Sequence, residues 1–403
     1  MKLNSKLKCV VWFVALSFIF GAGNSMGAAV IEELTQGNNS FCFDLYQQLK
    51  KEKGNIFFSP YSISTALGMT YAGARGITEK EMAKTLHFTL SQEKLHPAFS
   101  GLAAQMGKKE DITLNTANAL WIQQGFKLKK DFLETTGRYY GAEPFQVDFR
   151  ADANREKSRQ KINLWVENKT QEKIKELIPE GILTALTRLV LTNAIYFKGD
   201  WTGQFDESYT KKMPFRTGPG KQVEAQMMYR KASFKYMQDS TIQALEMPYK
   251  GNEISMLVIL PRQESGLEKV EQELTNTRLE DWTAALREQE VCVYFPKFKM
   301  TCKYSMKDTL TAMGMGSAFT DAADFSAMAE EQLLIDEVLH KAFIEVNEEG
   351  TEAAAATAVV MRLKMSRRLI FQADHPFIFI IKDNESGGIL FMGRVLDPSY
   401  GSQ

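Results

Sequence analysis

Hydrophobic residues recur at spacings of three and four through much of the first half of the chain. This period places them on one face of a helix and predicts amphipathic helices. Ser59-Pro60 indicates a helix start, and Thr78 with Glu81 has the spacing of a capping box. The pattern predicts helices over residues 31–51, 62–74, 78–86 and 154–177.

The second half of the chain contains short apolar runs that are rich in β-branched and aromatic residues. Several of these runs are apolar at every position, which is typical of strands covered on both faces. The predicted strands are residues 189–197, 254–260, 291–295, 376–381 and 389–392. Helices and strands together predict an α+β domain in which helices overlie a central sheet.

Residues 346–358, with the sequence VNEEGTEAAAATA, form a run of small side chains that is followed by a basic segment at 361–368. A surface helix is one interpretation, because Glu and Ala have high helix propensity. No apolar stripe of helical period runs through the segment, however. As a strand, residues 351–358 would place Thr351, Ala353, Ala355 and Thr357 on one face and their single charge, Glu352, on the other. The run therefore suits a chain that is exposed in one state and buried as a strand in another.

The N-terminal residues have the features of a secretory signal peptide. A basic start precedes an apolar run at 9–22 and a small-residue exit at 24–29. The apolar run is shorter than the roughly 20 residues that a membrane-spanning helix needs. We predict cleavage near Ala29, secretion to the extracellular space or the periplasm, and one continuous domain over 30–403, because no repeat or linker divides these residues.

The overall composition is that of a soluble globular protein, and its 49 basic residues match its 49 acidic residues. The charge balance gives no indication of a nucleic acid or a membrane surface as partner. Three cysteines follow the predicted signal peptide: Cys42, Cys292 and Cys302. They are too few for a disulfide scaffold, and three buried thiols are favoured over a Cys292–Cys302 bridge.

The motifs of the common enzyme classes are missing from the sequence. It has no nucleophile elbow, no zinc-binding spacing of histidine or cysteine pairs, no phosphate loop and no dinucleotide fingerprint. We therefore expect no enzymatic activity, no cofactor and no metal. His340 lies in the strand-like run 335–346 and is predicted to be a buried, hydrogen-bonded residue, and His375 is predicted to be a cap or core contact.

Six motifs give the chain a close resemblance to the serpin family over nearly all of the mature sequence. They are NIFFSPYSISTAL at 55–67, NAIYFKGDW at 193–201, YFPKF at 294–298, EVNEEGTEAAAAT at 345–357, and DHPFIF at 374–379 with FMGR at 391–394. The resemblance implies three β-sheets, eight to nine helices and an exposed reactive-centre loop. The implied function is suicide inhibition of a protease by a monomer, in which the cleaved loop inserts into the main sheet.

The resemblance also implies roles for individual residues. Ser59, Ser62, Asn193 and His340 resemble the polar shutter beneath the point where the central strands part, and Trp201 resembles the tryptophan at the top of that sheet. Family spacing places the scissile bond at Lys364-Met365, which implies a trypsin-like target. Arg362, Arg367 and Arg368 are the alternative cleavage points. The hinge corresponds to Glu348, Glu349, Gly350, Thr351, Glu352, Ala353, Ala354, Ala355, Ala356 and Thr357.

The competing hypothesis is a protein of the same fold that no longer inhibits and serves as a carrier, chaperone or storage protein. Such members typically have bulky, charged or proline residues at the inserting positions. Here the inserting positions remain small or apolar and the segment has no proline. The sequence therefore favours the inhibitor.

Overall fold

The structure is a computed structural model that describes residues 8–142, 144–351 and 368–399, with the backbone alone for 8–26 and 351. Nine α-helices and two short 3-10 helices lie in this described part. The α-helices are α1 Lys8–Leu49, α2 Pro60–Tyr71, α3 Gly76–Thr85, α4 Gln92–Met106, α5 Lys130–Tyr140, α6 Asp152–Lys169, α7 Leu267–Glu273, α8 Asn276–Ala285 and α9 Lys307–Ala312.

Fifteen strands are described, and the five predicted runs are all among them. The strands are β1 Ile56–Phe58, β2 Ile112–Gln123, β3 Phe145–Val147, β4 Leu189–Asp200, β5 Lys211–Gly218, β6 Lys221–Gln238, β7 Ile242–Pro248, β8 Ile254–Pro261, β9 Arg287–Pro296, β10 Phe298–Ser305, β11 Glu337–Val346, β12 Gly350–Thr351, β13 Leu369–Gln372, β14 Phe377–Asp383 and β15 Ile389–Val395. The α+β class is confirmed.

The strands form two hydrogen-bonded sheets. One sheet has the order β10-β11-β4-β2-β3, with β12 paired to β4. The other has the order β1-β15-β14-β8-β7-β6-β9-β13, with β5 paired to β6. The 18-residue strand β6 pairs with β5, β7 and β9. Because β6 pairs with different strands along its length, hydrogen bonding joins regions that the expected three-sheet arrangement would count separately.

The six-stranded sheet has an apolar core on each face, as β4 illustrates. Leu191, Ile195 and Phe197 belong to the main core. Ala194 and Tyr196 belong to a smaller core, to which α6 contributes. Both faces of the central strands are therefore buried, which explains why β4 is apolar at almost every position.

The two predicted helix starts have different outcomes. Ser59 caps α2 by accepting a 3.1 Å hydrogen bond from the Ser62 amide, and Pro60 is the first helical residue, as predicted. The capping box at Thr78 and Glu81 is wrong, because α3 already begins at Gly76. The Thr78 hydroxyl and Glu81 carboxylate instead accept hydrogen bonds from backbone amides of the 317–324 segment.

The helix predicted over 154–177 ends early, at Lys169. Gln171 and Glu172 have positive φ angles of 51° and 60°, which break the helical path. The chain that follows buries Ile174, Leu177 and Ile178 in the smaller core. Tertiary burial over the sheet therefore replaces the helix that local propensity favours.

Helix α1 covers the predicted helix 31–51 except for its last two residues, and it continues without a break from Lys8 to Leu49. No helix in the described ranges is long and apolar enough to cross a membrane. Cleavage near Ala29 and the domain boundary that follows from it stay predictions. Cys42, Cys292 and Cys302 are free thiols, and Cys42 and Cys292 are buried.

Candidate functional site

The centre of the six-stranded sheet is a seam between β4 and β11, which run parallel. Their register extends from Val190 opposite Glu337 to Tyr196 opposite Phe343. The other edge of β4 pairs with the antiparallel strand β2. Two adjacent parallel strands leave room in the topology for one antiparallel strand between them, because such a strand can pair with both.

The short strand β12 lies at one end of this seam. It pairs antiparallel with β4, with Gly350 opposite Asp200 and Thr351 opposite Gly199. Gly199 already pairs with Ile112 of β2 on the opposite edge of β4. A strand has only two edges, so β12 occupies the edge that faces β11. The hinge therefore begins a strand at the mouth of the seam.

A tight turn returns the chain from β11 into β12. The Asn347 side chain accepts hydrogen bonds of 3.1 Å from the amides of Glu349 and Gly350. The Asn347 amide donates a 2.9 Å bond to the Gly350 carbonyl. The φ angle of Gly350 is 154°, and a Cβ there would lie 2.5 Å from Asp200 Cα and 2.8 Å from Trp201 N. Glycine is required at this position because the two backbones lie too close together for a side chain.

Glu348 anchors the turn from inside the protein, where its side chain is 4% exposed. Its carboxylate contacts Lys297 Nζ at 2.6 Å and accepts a 2.6 Å bond from the Thr210 hydroxyl. Burial opposes ionisation of Glu348, but the bonds from Lys297 and Thr210 outweigh it and lower its pKa. The hinge is therefore fastened by a charged, hydrogen-bonded carboxylate at neutral pH.

Trp201 holds the same turn through its backbone and its ring. Its amide donates a 2.8 Å bond to the Glu349 carbonyl, and its indole N–H donates a 3.1 Å bond to the Asn347 carbonyl. The indole stacks on Tyr249 with 4.5 Å between ring centroids. Trp201 therefore lies at the mouth of the seam beside the hinge, away from the shutter residues.

The four predicted shutter residues lie together, fully buried under the seam. The Ser59 amide donates a 3.2 Å bond to His340 Nε2, so Nδ1 carries the proton in the neutral ring and donates to Asn193 Oδ1. Asn193 Nδ2 donates to the Ser62 hydroxyl at 2.6 Å. Asn193 belongs to β4 and His340 to β11, and they are direct partners in the register. The network therefore links the two strands of the seam to α2.

Burial lowers the pKa of His340 to about 3, with a smaller opposing contribution from its bond to Asn193. The neutral ring therefore persists at physiological pH, as the bond from the Ser59 amide requires. Tyr304 stacks against it at 6.1 Å between ring centroids. The structural role predicted for His340 agrees with these contacts.

Sequence reasoning missed Asn118, which completes the shutter. Asn118 lies on β2 opposite Asn193, and its Oδ1 accepts from both Asn193 Nδ2 and the Ser62 hydroxyl, the latter at 3.2 Å. Strand β2 was not predicted, because Asn115, Thr116 and Asn118 interrupt its apolar positions. The sequence signal that could have found Asn118 is its position between two small apolar residues, Ala117 and Ala119.

The remaining predicted site residues lie outside the described part of the chain. These are Glu352, Ala353, Ala354, Ala355, Ala356, Thr357, Arg362, Lys364, Met365 and Arg367. Arg368 is described and exposed, directly before β13. The hinge is therefore seen from Glu348 to Thr351.

The histidines of the described chain make structural contacts. His87 pairs with Asp44 at 2.7 Å, and His96 contacts the Tyr140 hydroxyl at 2.8 Å. His375 bonds to Asp374 and to the Pro261 carbonyl, both at 2.8 Å, in agreement with the predicted core contact. No group of three or more potential metal-ligating side chains occurs in the ranges that the structure describes.

The parallel seam, the short strand β12 at its mouth and the buried polar network beneath it together define the candidate site. Residues 36–398 match the family model described as serpin (serine protease inhibitor), and the chain belongs to this family. It is 41% identical over 380 residues to a leukocyte elastase inhibitor from Xenopus laevis, covering 91% of this chain and all of that one.

Solved structures show the same fold. Serpin48 from the insect Tenebrio molitor, described as highly specific, is 35% identical with a TM-score of 0.82, covering 91% of this chain and 98% of that one. Human thyroxine-binding globulin is 32% identical with a TM-score of 0.84, covering 92% of this chain and all of that one. The proteins that this chain resembles thus include one named as an elastase inhibitor and one named for binding thyroxine.

Proposed function

We propose that this protein inhibits trypsin-like serine proteases by inserting its cleaved loop between β4 and β11. The observation that carries the proposal is the antiparallel pairing of Gly350 and Thr351 with the end of β4, on the edge that faces β11. The protease serine would attack the scissile carbonyl and form an acyl-enzyme. The segment upstream of the break would then extend β12 along the seam before the ester is hydrolysed.

The register of β12 supports this mechanism. Each further residue would fall opposite the preceding residue of β4, so Ala353, Ala355 and Thr357 would meet Phe197, Ile195 and Asn193. Paired residues of antiparallel strands point to the same face, and Ile195 and Phe197 face the main core. Small side chains would therefore enter the crowded face. Thr357 would arrive beside the shutter.

The energetics favour insertion once the loop is cut. Each new backbone hydrogen bond contributes about 0.5–1.5 kcal/mol net, and an inserted strand of about a dozen residues makes bonds on both edges. The strand replaces one parallel pairing by two antiparallel pairings, which are slightly more stable per residue. At roughly 3.3 Å per residue, about 14 residues would carry the attached protease some 45 Å.

We propose Lys364-Met365 as the scissile bond. A lysine at this position fits a deep specificity pocket that ends in a carboxylate, which is the trypsin-like arrangement. The Xenopus relative is named for elastase, whose pocket is small. A comparison of trypsin with elastase as the target protease therefore tests the predicted specificity.

The test is to mix the protein with each protease and look for a covalent complex that survives boiling in detergent. We expect such a complex with trypsin, and we expect Lys364→Ala to abolish it. Arg362→Ala and Arg367→Ala are the matched controls and should keep it. If the complex persists in Lys364→Ala and disappears in one of the arginine variants, the scissile bond lies after that arginine instead. A complex with elastase alone would refute the trypsin-like target.

Thr351→Arg tests insertion separately from cleavage. An arginine on the core-facing side of the inserted strand would bury a charge, so the variant should be cleaved as a substrate without forming a complex. Inhibition equal to that of the unchanged protein would show that the inserting face is assigned wrongly. Clean cleavage of the unchanged protein without any complex would favour a carrier of the kind that the thyroxine-binding relative represents.

We further propose that the active form is a secreted monomer that begins near residue 30. N-terminal sequencing of protein recovered from the culture medium should find a start near Val30. Light scattering should give the mass of one chain. An uncleaved N-terminus, or protein retained in cells, would contradict secretion.

A further inference from the structure

The chain between α6 and β4 passes over the face of the seam that carries the smaller core, and the proposed mechanism makes no use of it. On one side it continues from α6, which packs against β2 and contributes Ile162 and Val166 to that core. On the other side Lys341 of β11 donates a 2.6 Å hydrogen bond to the Lys175 carbonyl. The segment therefore connects the two parts of the sheet that would have to separate.

A tight turn after α6 fixes the position of Lys173 in this segment. The turn begins with the positive φ angles of Gln171 and Glu172. The Lys173 amide then donates a 3.0 Å bond to the Thr170 carbonyl, and the Ile174 amide donates a 3.3 Å bond to the Thr170 hydroxyl. Thr170 and Ile174 are fully buried. The Lys173 side chain therefore starts from a backbone that is held on both sides.

The Lys173 ammonium lies over two aromatic rings, one on each strand of the seam. Its Nζ is 5.9 Å from the ring centroid of Tyr196 on β4 and 5.8 Å from that of Phe343 on β11. Tyr196 and Phe343 are buried direct partners in the parallel register, with 5.8 Å between their ring centroids. A cation within about 6 Å of a ring centroid is attracted by the negative face of the ring. One side chain thus connects β4 to β11 from outside the sheet.

An entering strand would have to separate these two rings. By the register of β12, Ala354 would fall opposite Tyr196 and point to the same face. Strands β4 and β11 would move apart by one strand spacing, about 4.8 Å. The ammonium could then contact both rings only from the space between them, which the Ala354 side chain would occupy. Insertion therefore releases Lys173 from at least one ring.

We propose that Lys173 holds the seam closed from outside and sets the rate at which a strand enters it. The inference rests on the part of the proposed function in which a strand enters the seam, and not on the target protease. Loss of one cation–π contact corresponds to a factor of about two to five at an exposed site and about thirty at a desolvated one. Because Lys173 is half-buried, we expect its removal to speed insertion about fivefold.

Lys299 provides a matched control on the same ring. Its Nζ lies 5.3 Å from the ring centroid of Phe343. Lys299 belongs to β10, which is hydrogen-bonded to β11 along its whole length. Since β10 would move together with β11 when the seam opens, this contact would persist. Removal of the Lys299 charge should therefore leave the rate of insertion unchanged.

The test measures how fast a synthetic peptide with the sequence of residues 351–362, labelled with fluorescein at its N-terminus, enters the full-length protein. Fluorescence anisotropy follows this uptake without any protease. We expect uptake by Lys173→Gln to be about fivefold faster than by the unchanged protein, and uptake by Lys173→Arg and Lys299→Gln to stay within about twofold of it. Equal rates for Lys173→Gln and the unchanged protein would overturn the proposal, as would an equal acceleration in Lys299→Gln.

A double-mutant cycle distinguishes a contact across the seam from a general loss of stability. Tyr196→Leu removes the ring on β4, whereas Tyr196→Phe keeps it. If Lys173 acts through this ring, adding Lys173→Gln should accelerate uptake less in the leucine background than in the phenylalanine background. The same acceleration in both backgrounds would overturn the proposed contact.

The outcomes separate this inference from the proposed function. Faster uptake by Lys173→Gln without any covalent trypsin complex would support the inference and refute inhibition of trypsin. A trypsin complex together with equal uptake by all variants would leave the proposed function standing and overturn the inference. If neither the unchanged protein nor Lys173→Gln takes up the peptide, the result counts against insertion into the seam and against the inference together.

Discussion

Replacing Gly350 by alanine is the sharpest test of how the hinge enters the sheet. An added Cβ would meet three backbone atoms, Gly199 O, Asp200 Cα and Trp201 N, the last at 2.8 Å. Backbone atoms of a central strand cannot rotate away as a flexible side chain can. We therefore expect Gly350→Ala to push β12 off the edge of β4.

The size of the effect follows from the hydrogen bonds at the hinge. Displacement breaks the bonds from Trp201 N to Glu349 O, from Asn347 N to Gly350 O and from Gly350 N to Asn347 Oδ1, which are 2.8–3.1 Å long. At about 0.5–1.5 kcal/mol each, the loss of these three bonds amounts to about 1.5–4.5 kcal/mol. We take insertion to start at the β12–β4 pair. If half of that energy is lost from the transition state for insertion, the rate of insertion falls roughly tenfold.

Inhibition depends on competition between insertion and hydrolysis of the acyl-enzyme. A tenfold slower insertion raises the ratio of cleaved to complexed inhibitor about tenfold. The assay is gel densitometry of trypsin mixtures at several inhibitor ratios. Gly218→Ala is the matched control, because a Cβ there has open space around it. If Gly350→Ala and Gly218→Ala give the same ratio of products, insertion does not begin at the β12–β4 pair.

Two further predictions concern stability. Asn193→Ala removes a side chain that bonds to His340 Nδ1, to the Ser62 hydroxyl and to Asn118 Oδ1. Because these groups are buried, we expect the free energy of unfolding in urea to fall by about 2–4 kcal/mol. Asn168→Ala, at an exposed position, should lower it by less than about 0.5 kcal/mol, and similar losses in both variants would contradict the shutter's structural role. His96 is buried with a pKa of about 4, lowered mainly by burial from 6.5. Between these values the unfolded chain binds a proton that the native state does not, so stability falls as pH falls, with a slope of up to about 1.4 kcal/mol per pH unit for this histidine. His96→Gln should flatten the slope measured between pH 4.5 and 6 by about that amount, and an unchanged slope would refute the assignment.

The sequence predicted best where an element depends on a continuous apolar pattern. Strands β4, β8, β14 and β15 are covered on both faces, so their apolar runs could be read without knowing their partners. Ser59-Pro60 was equally readable, because the cap and the first helical residue are local in sequence. The capping box at Thr78 failed because its side chains bond to a segment more than 200 residues away.

The candidate site likewise contains some residues that the sequence predicts and others that only the tertiary structure reveals. The sequence alone determined the small-residue run after β11, the glycine at its start and, by resemblance, the shutter residues Ser59, Ser62, Asn193 and His340. Only the tertiary structure brought in Asn118, Lys297 and Thr210, since each acts through a contact that is distant in sequence. The parallel pairing of β4 with β11 also belongs to the tertiary structure, because a register between strands more than 100 residues apart is set by packing and leaves no local pattern in the chain.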